Sequence, residues 1–218
     1  MPVPSLSRRD VHGRASGHVL MLHGGRADGL GEVDETNASW RRSRWMMGHI
    51  AGRLNDAGVG VWLLRYGVRG WNQRTGSAPS PVPDARWALD EARRELGAVP
   101  VVLLGHSMGG RTAAAVADHP SVVGVVALAP WLPSGEPTSA LVGKRLAAAH
   151  GRSDRITSYR QTRAFCRAAE GVADSVEFHD MGRVGHYMFR RIAAWNRFAV
   201  DRSLTMVGAA QRADGRHQ

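Results

Sequence analysis

"VVLLGHSMGGRTAAAVADHP", residues 101–120, runs an unbroken apolar segment into a small-residue helix and sets one serine at the join. Val101 to Leu104 show no alternation, the pattern of a strand covered on both faces. A sharp strand-to-helix turn leaves no room for side chains on the neighbours of its central residue. Gly105 and Gly109 meet that need around Ser107, and Gly110 and Ala113 keep the following helix close to the sheet. Ser107 is thereby lifted to a helix N-terminus, where free N–H groups and the helix dipole favour developing negative charge. A bare Gly-x-Ser-x-Gly arises by chance. Between a buried strand and a helix it reads as a nucleophile.

Working outward, the same alternation recurs on both sides. "GHVLMLHGG" (17–25), "VGVWLLRYG" (59–67) and "SVVGVVALAP" (121–130) read as buried strands, and "GKRLAAAHG" (143–151) and "DSVEFHDMG" (174–182) as weaker ones. Helices are expected near 40–57, 83–96, 157–172 and 186–207. Strand–helix alternation with right-handed crossovers gives an α/β chain with a doubly wound, mostly parallel sheet and helices on both faces. Ligands of such sheets bind beyond the carboxyl ends of the strands, so function belongs to the residues directly after each strand. Residues 1–16 read as an N-terminal extension, 17–207 as one domain and 208–218 as a frayed tail.

Composition narrows the classes. The 218 residues, 43% hydrophobic and 22% charged, suffice for one sizeable core. The longest apolar runs are too short to span a bilayer, and the first residues lack the apolar segment of a secretory signal, so no membrane partner is expected. The net charge of +10 does not read as nucleic-acid binding. All basic residues but Lys144 are arginine, scattered among Ala and Gly as GC-rich coding produces, with no motif or stripe. Cys166 is the single cysteine, which fits a reducing cytoplasm. No histidine–carboxylate spacing matches a metal site; His150 with Asp154 reads as chance proximity. No phosphate loop or dinucleotide fingerprint is present, so no cofactor is implied. Oligomeric state is not legible.

A serine hydroxyl needs a base, and ten histidines compete for that role. His106 is turned away from the serine and expected to pack in the core, and His23 belongs to the loop after the first buried strand. His186, in "MGRVGHYMFRR", lies in a Gly-flanked loop between the last strand and the final helix. Together with "GHSMGG", the "LMLHGG" segment and the "HGRSDRIT" loop, it gives the chain a resemblance to the α/β-hydrolase superfamily of serine hydrolases. The resemblance covers about residues 17–205 and its order Ser, Asp, His matches Ser107, Asp154, His186.

The resemblance implies a serine hydrolase that cleaves a small-molecule carboxylic ester through an acyl-enzyme. His186 is implied as base and Asp154 as the carboxylate behind it, with Glu136 the reserve acid. The N–H groups of Met108 and Gly25 form the oxyanion hole, Arg26 being the alternative to Gly25. Trp71, Trp131 and Tyr187 are candidates for an aromatic pocket. Only residues 131–142 lie where many relatives insert a cap, so a minimal, cap-less fold is expected, open unless loop 27–39 covers the site. Thioesterase, lactonase and acyltransferase chemistry use the same groups, and a non-catalytic accessory protein keeps the same scaffold.

Overall fold

The structure, a computed structural model, describes residues 2–215. Seven strands form one sheet: β1 (Ser5–Arg9), β2 (Gly17–Leu22), β3 (Val59–Arg65), β4 (Val101–His106), β5 (Val122–Leu128), β6 (Arg145–His150) and β7 (Ser175–Asp180). Five α-helices alternate with them: α1 (Ala38–Asp56), α2 (Pro81–Leu96), α3 (Met108–Ala115), α4 (Tyr159–Ala169) and α5 (Ile192–Asp214). The strand order is β1-β3-β2-β4-β5-β6-β7, parallel throughout except for β1. Helices α1 and α5 pack together, as do α2 and α3, and the two pairs cover the sheet.

The continuous Val and Leu runs behave as expected. Every residue of β2 and β4 is buried, and the core extends through β3 and β5. The Ala-rich β6 is an orderly strand paired on both sides, with β5 and β7, despite its low β-propensity. Ala147, Ala148 and Ala149 are buried, and the small side chains let α4 and α5 approach the sheet closely. Asn37 caps α1 by accepting from Trp40 N–H, Pro81 opens α2, and Ser158 caps α4 through Gln161 N–H.

Both ends of the chain differ from the sequence expectation. The stretch 1–16 supplies β1, an antiparallel edge strand registered Ser5 to Arg65. "SLSRR" carries no hydrophobic pattern because it is an edge, held by Arg8, which stacks 4.2 Å from the Trp62 ring centroid and pairs with Glu95. At the other end α5 begins at 192 rather than 186 and runs on to 214. Its last turns are pinned by buried Met206 and Val207 and by Gln211, which donates to Ser16 O at 2.7 Å. Positions 216–218 of the expected tail lie outside the described residues.

Topology sets the position of the site. After β2 the chain crosses to β3 on one side, then returns to β4 on the other, so the crossover direction reverses between β2 and β4. The register pairs Leu22 with Gly105, which sets the residues after β2 beside Ser107. The loops after β6 and β7 are joined as well, Arg152 N–H donating to Gly182 O and Ser153 N–H to Val184 O.

Candidate active site

Ser107 stands between β4 and α3 with φ 56°, a conformation an L-residue rarely adopts. Its N–H donates to Leu128 O, and its carbonyl accepts from Gly110 and Trp131 N–H. These bonds hold the strained turn open. A side chain at Gly109 would collide with Leu22 O, and one at Gly105 with the Gly109 carbonyl, so the glycine spacing is a packing requirement.

The loop after β7 brings His186 over the serine. Its Nε2 lies 3.0 Å from Ser107 Oγ and its Nδ1 lies 2.8 Å from Asp154 Oδ2. The partners assign the tautomer: Nδ1–H donates to the carboxylate, and Nε2 accepts from the serine hydroxyl. Gly151 is what allows this approach, since a side chain there would strike Val184 O of the histidine loop.

Asp154 is anchored from several directions. Its Oδ1 accepts from Ile156 and Thr157 N–H at 2.8 and 2.9 Å, and its Oδ2 lies 2.9 Å from Thr157 Oγ1 and 3.2 Å from His150 Nε2. Burial pushes the carboxyl pKa up, but the hydrogen bonds from His150, His186 and the two backbone N–H groups outweigh it. They hold the carboxyl well below the usual carboxylate range. His150 is completely buried and its Nδ1 lies 2.9 Å from Thr162 Oγ1, so Asp154 sits between two histidines. The pairing of His150 with Asp154 is therefore a contact rather than chance proximity. "HGRSD" contained the signal, because the histidine ends β6 four residues before the aspartate.

Glu136 lies elsewhere. It holds Arg111 of α3 through two contacts of 2.8 Å, both side chains being largely buried. Arg111 in turn is clamped between Trp71 and Trp131, 4.1 and 4.6 Å from their ring centroids. The two tryptophans therefore brace the helix that follows Ser107 and do not line the cavity above it. Tyr187 does line it.

That cavity, about 610 Å³, is walled by residues after β2 and β3, the start of α1 and the histidine loop. Val33, Thr36 and Asn37 of the 27–39 loop form one side, and Ile156, Tyr187 and Phe189 form an exposed apolar rim. Gly25 also faces the cavity, and a side chain on it would collide with Met108 and Arg69 O. Arg26 N–H is engaged with Arg69 O at 3.0 Å. Met108 N–H, first in α3, has no intrahelical acceptor by its position. His23 fixes the loop: its Nδ1 donates to Gly24 O at 2.6 Å and its Nε2 accepts from Tyr66 N–H.

His106 is not a plain core residue. It is buried but lines the cavity, its Nε2 donating to His186 O at 3.1 Å with ring centroids 4.9 Å apart. Burial pushes its pKa down to about 3, which keeps it neutral beside His186. Position 106 alternates to the cavity side because β4 ends one residue before the turn, a detail that the motif does not reveal.

The arrangement pairs the Ser107 hydroxyl, in the wall of the cavity, with an oriented imidazole. Such a set can carry out nucleophilic attack on an acyl carbon. Between Pro130 and Gly143 the chain forms only the short 3₁₀ turn Ser139–Leu141, and no cap domain covers the opening. Among the described residues no helix is long and apolar enough to cross a membrane.

Comparison with known proteins agrees with this layout. The chain is similar to an alpha-beta serine hydrolase homologue from Coxiella burnetii, at 18% identity and TM-score 0.67, with 91% of each chain covered. It is also similar to a monoacylglycerol lipase from Paleococcus ferrophilus, at 19% identity and TM-score 0.63 over 93% of this chain and 99% of that one. A Xanthomonas campestris serine hydrolase without a lid matches at 14% identity and TM-score 0.65, over 91% and 88%. A search of curated proteins finds no match. The family model of the alpha/beta hydrolases matches residues 19–216, nearly the whole sequence. The chain belongs to the alpha/beta hydrolase family.

Proposed function

We propose that the protein is a serine hydrolase that cleaves a small carboxylic ester through an acyl-enzyme. The observation that carries this reading is the continuous line Ser107 Oγ, His186, Asp154, with contacts of 3.0 and 2.8 Å. His186 Nε2 takes the hydroxyl proton as Ser107 Oγ bonds to the acyl carbon. The carbonyl oxygen becomes an oxyanion that the Met108 and Gly25 N–H groups bind. Asp154, ionised and fixed, stabilises the imidazolium and keeps its proton on Nδ1. The imidazolium then protonates the leaving alcohol as the carbon–oxygen bond breaks. Water, deprotonated by the same imidazole, attacks the acyl-enzyme and releases the acid, and the proton returns to Ser107.

The likeness to a monoacylglycerol lipase and to two serine hydrolases supports this assignment. Cys166, buried in α4, is read as a thiol suited to the cytoplasm. Hydrolysis of p-nitrophenyl acetate by the wild-type protein and by Ser107→Ala tests the proposal. The wild type is expected to turn over, and the variant to lose activity while melting at nearly the same temperature. Equal activity in both proteins refutes the role of Ser107.

A further inference from the structure

The residues that line the cavity above Ser107 include three arginines, Arg26, Arg42 and Arg69, and no aspartate or glutamate. Two of them are ordinary. Arg26 is exposed to solvent, and Arg69 pairs with Asp34 at 3.2 Å, both of those side chains being well exposed. Arg42 is different. It projects from α1, is only 8% exposed, and donates from Nε to Tyr187 O at 3.0 Å and from Nη2 to Met188 O at 3.4 Å. Its Nη1 is buried with no hydrogen-bond partner among the described residues. Among the described residues no acidic side chain pairs with it, and burial lowers its pKa.

A buried guanidinium remains charged at neutral pH, and carbonyl dipoles on one edge do not neutralise it. Its planar fork matches a carboxylate. The Arg42 charge also acts on His106, the ring beside His186, so the group lies within electrostatic reach of the reacting centre. Apolar Val33, Ile156 and Phe189 line the same cavity, which suits a short hydrocarbon spacer ending in one compact charge.

We propose that Arg42 binds a carboxylate carried by the substrate, so that the preferred ester is a half-ester of a short dicarboxylic acid. The proposal rests on the ester-hydrolase reading above for the fate of that substrate. Arg42 would then fix one end of the molecule while the ester carbonyl at the other end meets Ser107. The bonds to Tyr187 O and Met188 O make Arg42 a strap on the histidine loop as well, so its loss alone does not separate the two roles. Selectivity does.

The test compares monoethyl glutarate with ethyl pentanoate, which share chain length and leaving group and differ in the terminal charge. The wild type is expected to favour the half-ester in kcat/KM by roughly 10–100-fold, the range of a charge-assisted hydrogen bond. Arg42→Gln keeps a donor for the loop carbonyls and is expected to bring the ratio near one, and Arg42→Lys to retain part of the preference. A wild-type ratio near one, with both esters hydrolysed, overturns the carboxylate site and leaves the ester reading standing. So does a variant that lowers both activities and keeps the ratio.

Binding is read separately, without turnover. Millimolar glutarate should raise the melting temperature of Ser107→Ala, and the rise should vanish in Ser107→Ala/Arg42→Gln. If neither ester is hydrolysed the ester reading fails, and this shift decides the anion site alone. Absence of a shift overturns it.

Discussion

Replacing Asp154 by asparagine exchanges one oxygen for an NH₂ group, and the surrounding bonds dictate where that group points. Oδ1 is held by Ile156 and Thr157 N–H at 2.8 and 2.9 Å, so the amide oxygen keeps that position. The NH₂ therefore takes the place of Oδ2 and meets His186 Nδ1 at 2.8 Å. A donor facing Nδ1 moves the imidazole proton to Nε2, the nitrogen 3.0 Å from Ser107 Oγ. The histidine can then no longer accept the serine proton. The expected fall in kcat is about 10⁴-fold, or about 5.5 kcal/mol of barrier, the scale for a base held in the wrong tautomer. Stability falls too, because bonds from His150 and Thr157 to a buried charge are lost. About 1.5–3 kcal/mol, or a decrease of roughly 3–10 °C in Tm, is expected. Steady-state hydrolysis of p-nitrophenyl acetate, read beside circular dichroism melts, measures both. A folded Asp154→Asn protein within tenfold of wild-type kcat refutes the assignment of Asp154 and the tautomer argument together.

Other substitutions separate the remaining roles. Gly25→Val drives a side chain into Met108 and Arg69 O and is expected to displace the loop N–H, lowering kcat about 10²–10³-fold; little effect would place the oxyanion elsewhere. Glu136→Gln breaks the buried pair with Arg111 and is expected to cost about 3 kcal/mol in denaturant melts while kcat stays within a few-fold. A loss of kcat as large as that of Asp154→Asn would restore Glu136 as the acid. Acid stability follows from buried neutral histidines. Burial pushes His18 and His106 down to about 3 and His23 to about 4. The unfolded chain protonates these rings near 6.5, so it binds more protons below that pH and the fold loses stability. Stability is full above about 6.5 and declines towards 3–4, by up to ~1.4 kcal/mol per pH unit for each histidine. Urea melts at pH 7, 6 and 5 should show this decline, and a flat profile contradicts it.

The sheet was legible because its strands are buried on both faces and so read as unbroken Val and Leu runs. β6 was harder, since Ala147 to Ala149 satisfy close helix approach rather than β-propensity. β1 was not legible at all. An edge strand faces solvent and selects charge, and "SLSRR" has no periodicity to detect.

At the site, Ser107, Asp154 and His186 follow three parallel strands, and the sequence alone placed them there. The tryptophans failed because composition does not distinguish an aromatic that lines a cavity from one that clamps a cation. Trp71 and Trp131 enclose Arg111, which only the packing of α3 reveals. His150 stands four residues before the aspartate it backs, so "HGRSD" held its signal, whereas Arg42 reaches from α1 onto the distant 187–188 carbonyls. Arg42 has no local pattern.

The central claim is that Ser107 is an activated nucleophile, and covalent trapping tests it most directly. The folded protein is treated with an alkyl fluorophosphonate at neutral pH, and the adduct is located by peptide mass spectrometry. The expected result is one phosphonyl group on Ser107, formed within minutes, absent from Ser107→Ala and much slower in Asp154→Asn. A folded wild-type protein that stays unlabelled, or carries the adduct on another residue, contradicts the account.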